Sequence, residues 1–556
     1  MTGSVLSEEQ TVAALSDARH VMIIAPPGCG KTEVLAHRAD HLIQSLLPNQ
    51  RILALTFTNR AKANLEERLR AVLGYAKMRR YLTVRNFHGH ATQVVLAHGR
   101  TIGLDLRTLL LPKSSTLRRA LEATGENRDT RNAVEDLLGQ VKREPLSDPE
   151  VLAVLARRNA APYAALAQRL ERERQAANQL HYDDLLRHAQ RLLRIPAVGH
   201  LYRCHFGAVL VDEFQDLSLQ QLDLARLSCS ERQTYAGDPL QGIFSWAGAE
   251  PATVEHEIGT LCGEQILLGE SYRSSPAVLT AVNSVSKPLG AARDLVSAHP
   301  ERWAGGGCSA ALVTKDRAAE AGIVAALSQM ILTRDPAASV GVISRAAWRR
   351  ENIDSAFSGQ TDFTVRRWDL ALEDPRIVTL IRETVASLPH GATVEAAHDA
   401  VLDAVDPADV DTLEQVDDAF VELCQTQAST IRAALRSIRV ADPKQAVGPG
   451  VHLLNAHTGK GQQFDWVFVI GLEEGHLPGT KSNHGTALIE EQRVLLVMLS
   501  RARYGLVVSR VQMNNGRFGP YAATQSRWWN TLRCDLTTLE QVKHRITSMP
   551  LTAARI

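Results

Sequence analysis

At 556 residues, 45% hydrophobic and 22% charged, the chain has the material for about three to four folded domains and is neither disordered nor fibrous. A formal net charge of +1 excludes a global field that would draw in a polyanion, so any nucleic-acid surface must come from local patches. The seven scattered cysteines, with no Cys-x-x-Cys pair, speak against a disulfide framework or a zinc site, and no apolar run approaches the ~18 residues of a membrane span.

The N-terminus has neither the basic start nor the apolar core of a secretory signal, so a cytoplasmic protein with no membrane association is expected. Ser7 with Glu8, Glu9 and Gln10 reads as a helix start. An amide at Gln10, just upstream of a phosphate loop, could read both hydrogen-bonding edges of adenine; it could equally be a polar helix residue.

Val21 to Ile24 is a short apolar run that suits a buried strand. In the loop that follows, Ala25 to Gly30 with Cys29 inside it, the residues Pro26, Pro27, Gly28 and Gly30 cannot continue the strand, and Lys31 and Thr32 open a helix. Strand, glycine loop and helix N-terminus together form an anion cradle. In that arrangement Lys31 reaches the β- and γ-phosphates of a nucleotide and the Thr32 hydroxyl holds Mg²⁺. The alternative is a glycine turn in an unrelated α/β unit.

A second buried strand, Ile52 to Phe57, ends at Thr58 and Asn59, and a third, Tyr81 to Val84, leads to Asn86, Phe87, His88 and Gly89. Ligand groups collect at such strand ends. Eight basic residues from Arg60 to Arg85 could form a phosphate-backbone patch or simply a solvated helix face. Residues 91–190 are helical in pattern and read as an insertion, with Asp183 and Asp184 structural.

Ala208 to Val211 is another buried strand and ends in Asp212 and Glu213. Beside a phosphate loop, Asp212 can hold Mg²⁺ through water and Glu213 can orient and deprotonate an attacking water. Gln241 follows a further strand and can sense a γ-phosphate. Phe244 and Trp246 are either base-stacking aromatics or core. Tyr272 could stack on adenine, and Arg273 could neutralise charge on a transferring phosphoryl group.

A second α/β region starts near Pro276. It is interrupted from Glu395 to Glu422 by ten acids with no Lys or Arg, a segment that would repel a phosphate backbone and is either a solvated hairpin or a docking surface. The α/β pattern resumes at Val451 and includes His457, Thr458, Gly459, Lys460 and Gly461 at a strand end. A helix then runs to Ser500, Arg501 and Ala502, with Arg501 a second candidate arginine finger. There are no internal sequence repeats.

These stretches occur in an order that resembles the UvrD/Rep/PcrA group of superfamily 1 helicases over nearly the whole length. The resemblance is carried by Gln10, Ala25–Thr32, Thr56–Asn59, Asn86–Gly89, Val211–Asp216, Gly237 and Asp238 with Gln241, Ser271–Ser274, His457–Gly461 and Leu499–Ala502. It implies an α/β fold of two RecA-like P-loop NTPase domains with parallel sheets, each bearing a helical insertion. The expected divisions are an ATP-binding domain 1A at 1–90 and 191–275, insertion 1B at 91–190, domain 2A at 276–384 and 448–556, and a strongly reduced acidic insertion 2B at 385–447. It also implies ATP and Mg²⁺ as cofactors, catalysis by Lys31, Glu213, Gln241, Arg273 and Arg501, and metal binding by Thr32 and Asp212. Gln10, Ala25–Thr32, Tyr272, Arg273 and Arg501 would bind ATP. Phe57, Asn59, Phe87, His88, Phe244, Trp246 and His457 would face single-stranded DNA, along which the protein would translocate 3′→5′ as an ATP-dependent helicase.

Four positions depart from the family pattern: Glu33, Ala247, Gln463 and Leu496 stand where arginine, arginine, glutamate and tyrosine are usual. The reduced insertion also resembles the helicase-like subunit of Gabija-type antiphage systems, which works beside an OLD-family nuclease. A partner nuclease docked on the acidic insertion or another surface is therefore expected, since the chain has no nuclease motif of its own. Alternatives are an ATP-gated DNA-end sensor that activates such a partner with little unwinding, and a DNA-repair helicase.

Overall fold

A computed structural model describes residues 6–548 apart from 112–116, 118, 119, 122, 159–161, 246, 247, 359, 361, 373, 374, 406–411, 413–415, 417, 418, 421, 425, 427, 441–446, 517 and 518. Two compact units emerge, one of Met1–Ala25 and Gly30–Leu268, the other of Pro26–Cys29 and Gly269–Ile556. Among the described residues no helix is long and apolar enough to cross a membrane.

The first unit is built on six strands: β1 (His20–Ile24), β2 (Arg51–Thr56), β3 (Leu82–Asn86), β4 (Phe206–Asp212), β5 (Gln233–Gly237) and β6 (Glu264–Leu267). They form one sheet in the order β3-β2-β4-β5-β1-β6, and every pairing is parallel. A parallel sheet covered by helices on both faces needs apolar side chains on both, which is why β4 is buried at all seven positions. The helices that matter for the site are α1 (Glu8–Leu15), α2 (Lys31–Ile43), α3 (Asn59–Tyr81) and α4 (Phe87–His98). Three of the four start on a side-chain cap that the sequence supplies, and α2 starts on the left-handed Gly30. Ser7 and Gln10 close a capping box on α1, Thr58 caps α3, and Asn86 caps α4.

The helical segment expected at 91–190 divides between two cores. Its ends, including Val94, Val95, Leu185 and Leu192, pack in the core of the sheet. Its middle, from Leu121 to Ala167, forms a separate small core. A buried ion cluster lies at the foot of the inserted helices. Lys142 Nζ meets Glu171 Oε2 at 2.7 Å and Asp184 Oδ2 at 3.1 Å. Asp184 also meets Arg174 at 2.9 Å and Arg187 at 2.7 Å, and is fully buried. Burial alone would raise its pKa, but Lys142, Arg174 and Arg187 hold it well below the usual carboxylate range. Asp184 is thus structural. Asp184→Asn, which keeps the shape and removes the charge, is expected to destabilise this unit by about 3–5 kcal/mol, because the buried Lys142 and Arg187 and the part-buried Arg174 lose a shared partner. A denaturant midpoint equal to that of the parent chain would show that the cluster contributes nothing.

In the second unit β7 (Glu270–Ser271) pairs with β8 (Val296–Ser297). The main sheet comprises β9 (Cys308–Thr314), β10 (Ser339–Ser344), β11 (Val365–Leu372), β12 (Ile438–Val440), β13 (Gly450–Asn455), β14 (Phe464–Val469) and β15 (Ala502–Val511). Their order is β12-β11-β13-β10-β14-β15-β9, again all parallel. An antiparallel hairpin, β16 (Met513–Gly516) and β17 (Gly519–Ala522), follows. Residues from Leu372 to Ile438 carry a core of their own, and that segment returns to the sheet edge through β12. The α/β class with parallel sheets expected from the sequence is the fold observed. Of the ten acids, Asp406, Asp409, Asp411, Glu414, Asp417 and Asp418 lie outside the described residues.

Candidate nucleotide site

In the first unit, chemistry gathers where β4, β5 and β1 end side by side. The end of β1 is tied to β5 by the Ala25 N–H donating to the Gly237 carbonyl at 2.8 Å; the loop residues that follow, Pro26–Cys29, are grouped with the second unit and turn back through Cys29 N–H to the Pro26 carbonyl at 3.2 Å. Gly28 and Gly30 have φ of 85° and 77°, left-handed conformations that side chains resist. Gly30 has a second reason to be glycine. A Cβ there would sit 2.5 Å from the Gln10 Nε2. Gln10 is buried; its Oε1 accepts from the Ser7 N–H at 3.0 Å, which turns its amide nitrogen toward the loop. The phosphate-loop geometry and the amide expected beside it are therefore adjacent.

Lys31 opens α2, and its ammonium lies 2.8 Å from Asp212 Oδ1 and 2.5 Å from Glu213 Oε1. Burial would lower its pKa, but the two carboxylates outweigh burial and hold it charged. Burial pushes Asp212 up, with Lys31 partly offsetting it. Glu213 stands at φ 59°, ψ 50°, a left-handed conformation in a residue with a full side chain. Such strain costs of order 1–3 kcal/mol and persists where the surroundings fix a side chain for use.

What fixes it is a relay the sequence did not reveal. Gln215 Nε2 donates to Glu213 Oε2 at 2.6 Å, and Gln215 Oε1 accepts from the Asp238 N–H at 3.0 Å. Asp238 Oδ2 in turn accepts from Gln241 Nε2 at 2.8 Å. The carboxylate at the end of β4 is thereby joined to the glutamine after β5 through buried groups only. The signal for Gln215 was its place two residues after Glu213, on the tight turn at a strand end.

The residues fit a nucleoside triphosphate with Mg²⁺. Left-handed glycines shape a cradle at the N-terminus of α2, a charged lysine stands in it, and Thr32 and Asp212 supply hard oxygen donors. Mg²⁺ is usually held by one or two protein oxygens plus phosphates, and Thr32 and Asp212 are of that kind.

Of the expected DNA-facing residues, Phe57 and Phe244 stack on each other, centroids 5.5 Å apart at 30°, and both are half-buried. The Asn59 amide oxygen accepts from Asn86 Nδ2 at 2.7 Å. His88 packs edge-on against the exposed Tyr182 at 5.5 Å, and burial lowers its pKa. Phe87 is a correction: it is 0% exposed in the core of the sheet, because the first turn of α4 points it inward, so it faces no ligand here. Trp246 and Ala247 lie outside the described residues.

In the second unit, Tyr272 N–H donates to the Gly28 carbonyl at 2.9 Å, and Ser271 Oγ donates to the Pro27 carbonyl at 3.3 Å. This sets Arg273 so close to Gly28 that a Cβ on that glycine would sit 2.6 Å from the Arg273 Cβ. Tyr272 is 39% exposed and lies edge-on to His299. Arg501 is buried; its Nε donates to the Val497 carbonyl and its Nη2 to Ser500 Oγ, both at 2.8 Å, so it closes the end of the helix Gly485–Leu499. His457 sits in a one-turn helix capped by Asn455 after β13. Among the departures, Glu33 pairs with Arg68 and, at 3.2 Å, with His37, Leu496 is core, and Gln463 is exposed.

Family models match two stretches: the UvrD/REP helicase N-terminal domain at residues 6–259 and the UvrD-like helicase C-terminal domain at residues 411–513. Among curated proteins, ATP-dependent DNA helicase UvrD2 of Mycobacterium tuberculosis is 29% identical over 560 residues, covering 91% of this chain and 78% of that protein. ATP-dependent DNA helicase PcrA of Staphylococcus aureus is 27% identical over 298 residues, covering 51% of this chain and 40% of that protein. A probable DNA helicase II homologue of Mycoplasma capricolum is 30% identical over 297 residues, covering 51% and 41%. With both domain models matched in order on a pair of parallel α/β units, the chain belongs to the UvrD/PcrA-like helicases of superfamily 1A.

Proposed function

We propose that the chain is an ATP-dependent DNA helicase that hydrolyses ATP to ADP and phosphate with Mg²⁺ and moves 3′→5′ along single-stranded DNA in the cytoplasm. The observation that carries this is Lys31 set between Asp212 and Glu213, with Glu213 strained and joined through Gln215 and Asp238 to Gln241. Such a relay lets the presence of a γ-phosphate at Gln241 be felt at the base. In this reading Gln10 reads the base, the backbone from Ala25 to Gly30 and Lys31 hold the phosphates, and Thr32 and Asp212 hold Mg²⁺, which would neutralise phosphate charge when bound. Glu213 takes the proton of the attacking water. Tyr272, Arg273 and Arg501 supply adenine stacking and charge neutralisation. Phe57, Asn59, His88, Phe244, Trp246 and His457 contact DNA.

We further propose a role beside a partner nuclease in antiphage defence, with the acidic insertion as the docking surface. Glu395, Asp399 and Asp403 support a surface role, since they lie at i, i+4 and i+8 on the helix Val394–Asp403, all exposed, opposite the buried Val394, Ala397 and Val401.

ATP turnover of the purified chain with and without single-stranded DNA tests the reading. Strong stimulation is expected, followed by unwinding of 3′-tailed and not 5′-tailed duplex. A flat rate would overturn the autonomous motor. The double change Phe57→Ala with Phe244→Ala is expected to weaken single-strand binding by about 1–3 kcal/mol, read by fluorescence anisotropy. Unchanged affinity would return both rings to a packing role.

A further inference from the structure

Arg38 lies two turns into α2 and is 0% exposed. Its guanidinium ties α2 to two other elements. The Nε–H donates to Thr234 Oγ1 in β5 at 2.8 Å, and Nη1 donates to the carbonyls of Ser16 at 2.7 Å and Ala14 at 3.4 Å, at the C-terminus of α1. Its Nη2 finds no hydrogen-bond partner among the described residues. All three partners are neutral. Burial pushes the pKa of Arg38 down to about 10, Arg232 adds to the effect, and Glu264 and Asp17 offset it only in part. A buried cation so poorly compensated is costly, and an apolar side chain would fill the space at lower cost. What an apolar side chain could not do is hold α1, α2 and β5 in one register.

That register matters because the three elements carry different parts of the nucleotide site. The loop and α2 carry Gly30, Lys31 and Thr32; β5 leads to Asp238 and Gln241; α1 carries Gln10, whose amide meets the loop at Gly30. We propose that Arg38 is a positioning residue for base selection, fixing α1 by its C-terminal carbonyls so that the Gln10 amide stands at the base end of the site. The inference rests on the nucleotide reading given above. A lysine keeps the charge but lacks the planar fork, so it cannot reach a hydroxyl in β5 and two carbonyls in α1 together.

The experiment measures KM and kcat for ATP and for GTP with the full chain carrying Arg38→Lys, Thr234→Val, Gln10→Ala, and Arg38→Lys with Gln10→Ala. For Arg38→Lys, KM for ATP is expected to rise about tenfold, the worth of one to two hydrogen bonds to the base, with kcat at saturation near that of the parent and the preference for ATP over GTP reduced by the same factor. Thr234→Val, nearly isosteric, keeps the packing should Arg38→Lys fail to fold, and is expected to move KM in the same direction by less. In the Gln10→Ala background Arg38→Lys should have no further effect on KM, since its influence runs through that amide. An unchanged preference for ATP in both Arg38→Lys and Thr234→Val, or effects of Arg38→Lys and Gln10→Ala that simply add, would overturn the proposal. If Gln10→Ala itself left KM and base preference untouched, it is the reading of the nucleotide site that would fall.

Discussion

Glu213→Gln is expected to lower ATP turnover at least ~10²-fold while leaving nucleotide binding nearly intact. The substitution preserves shape and can keep the left-handed turn at the end of β4, and the glutamine's single amide oxygen can still meet Lys31, while its NH2 would face the Gln215 Nε2 donor and give up that link. It cannot accept a proton from water. Lys31→Ala should also abolish turnover, but by another route, since it removes the cation facing Asp212 and Glu213 and leaves two adjacent carboxylates without their partner at 2.8 and 2.5 Å. Two like charges in a buried site repel an incoming polyphosphate as well as each other, so nucleotide affinity should fall together with rate. Steady-state phosphate release and nucleotide binding, measured on both variants, separate the two roles. Glu213→Gln with near-parental turnover would show that the strained carboxylate is not the base, and Lys31→Ala with unchanged affinity would show that the cradle is not where phosphates bind.

The sequence made the strands of this site legible for a simple reason. A central strand in a parallel sheet is buried on both faces, so β1, β2 and β4 read as short apolar runs, and their polar endings mark the edge where ligands collect. Asp212 and Glu213 could be named because they end or directly follow such a run, Lys31 because it opens a helix after the glycine loop that follows one, and Gln241 because it comes shortly after a further strand. The relay between them was not legible. Gln215 and Asp238 lie 23 residues apart, and nothing in periodicity tells which way a turn directs a carboxamide. Phe87 shows the same limit in reverse. Its place at a strand end suggested a ligand contact, yet a helix begins there, and a helical first turn can send the side chain to either side. The stretch 91–190 reads as one insertion because it is helical in pattern, rich in Leu, Ala and Arg, with few β-branched runs. Which of two cores each face meets is a property of the folded chain, not of the repeat.

Acid should weaken both units, and buried histidines set the pH at which it begins. His90 and His188 in the first unit and His452 and His476 in the second are each nearly or fully buried. Burial is the leading cause that lowers each of them from the ordinary value near 6.5, His90, His188 and His476 to about 3 and His452 to about 4. Nearby cations add to burial in each case: Arg85 at His90, Arg187 and Arg191 at His188, Arg366 at His452, and Arg349 and Arg317 at His476, while Asp148 and Asp184 pull His188 the other way. The hydrogen bonds agree with neutral rings. Trp368 Nε1–H donates to His452 Nδ1 at 3.0 Å while His452 Nε2 faces the Gly448 carbonyl at 2.8 Å, and His476 Nε2 faces the Arg317 guanidinium at 3.1 Å. Below pH 6.5 the unfolded chain takes up a proton at each of these positions and the folded chain does not. The unfolded state therefore binds more protons, and stability falls as pH falls, by about 1.4 kcal/mol per pH unit for each histidine until the folded values near 3–4 are reached. Two histidines per unit give a drop of about 3 kcal/mol per pH unit in each, larger than any single surface charge would produce. Denaturant midpoints at pH 7.5, 6.5, 5.5 and 4.5 should be level between the first two and decline steeply thereafter, and His452→Gln, which can still donate to Gly448 and accept from Trp368, should flatten the decline in its unit. A midpoint that holds steady down to pH 4.5 would mean that these rings are protonated in the fold, and the neutral hydrogen-bonding pattern around them would have to be abandoned.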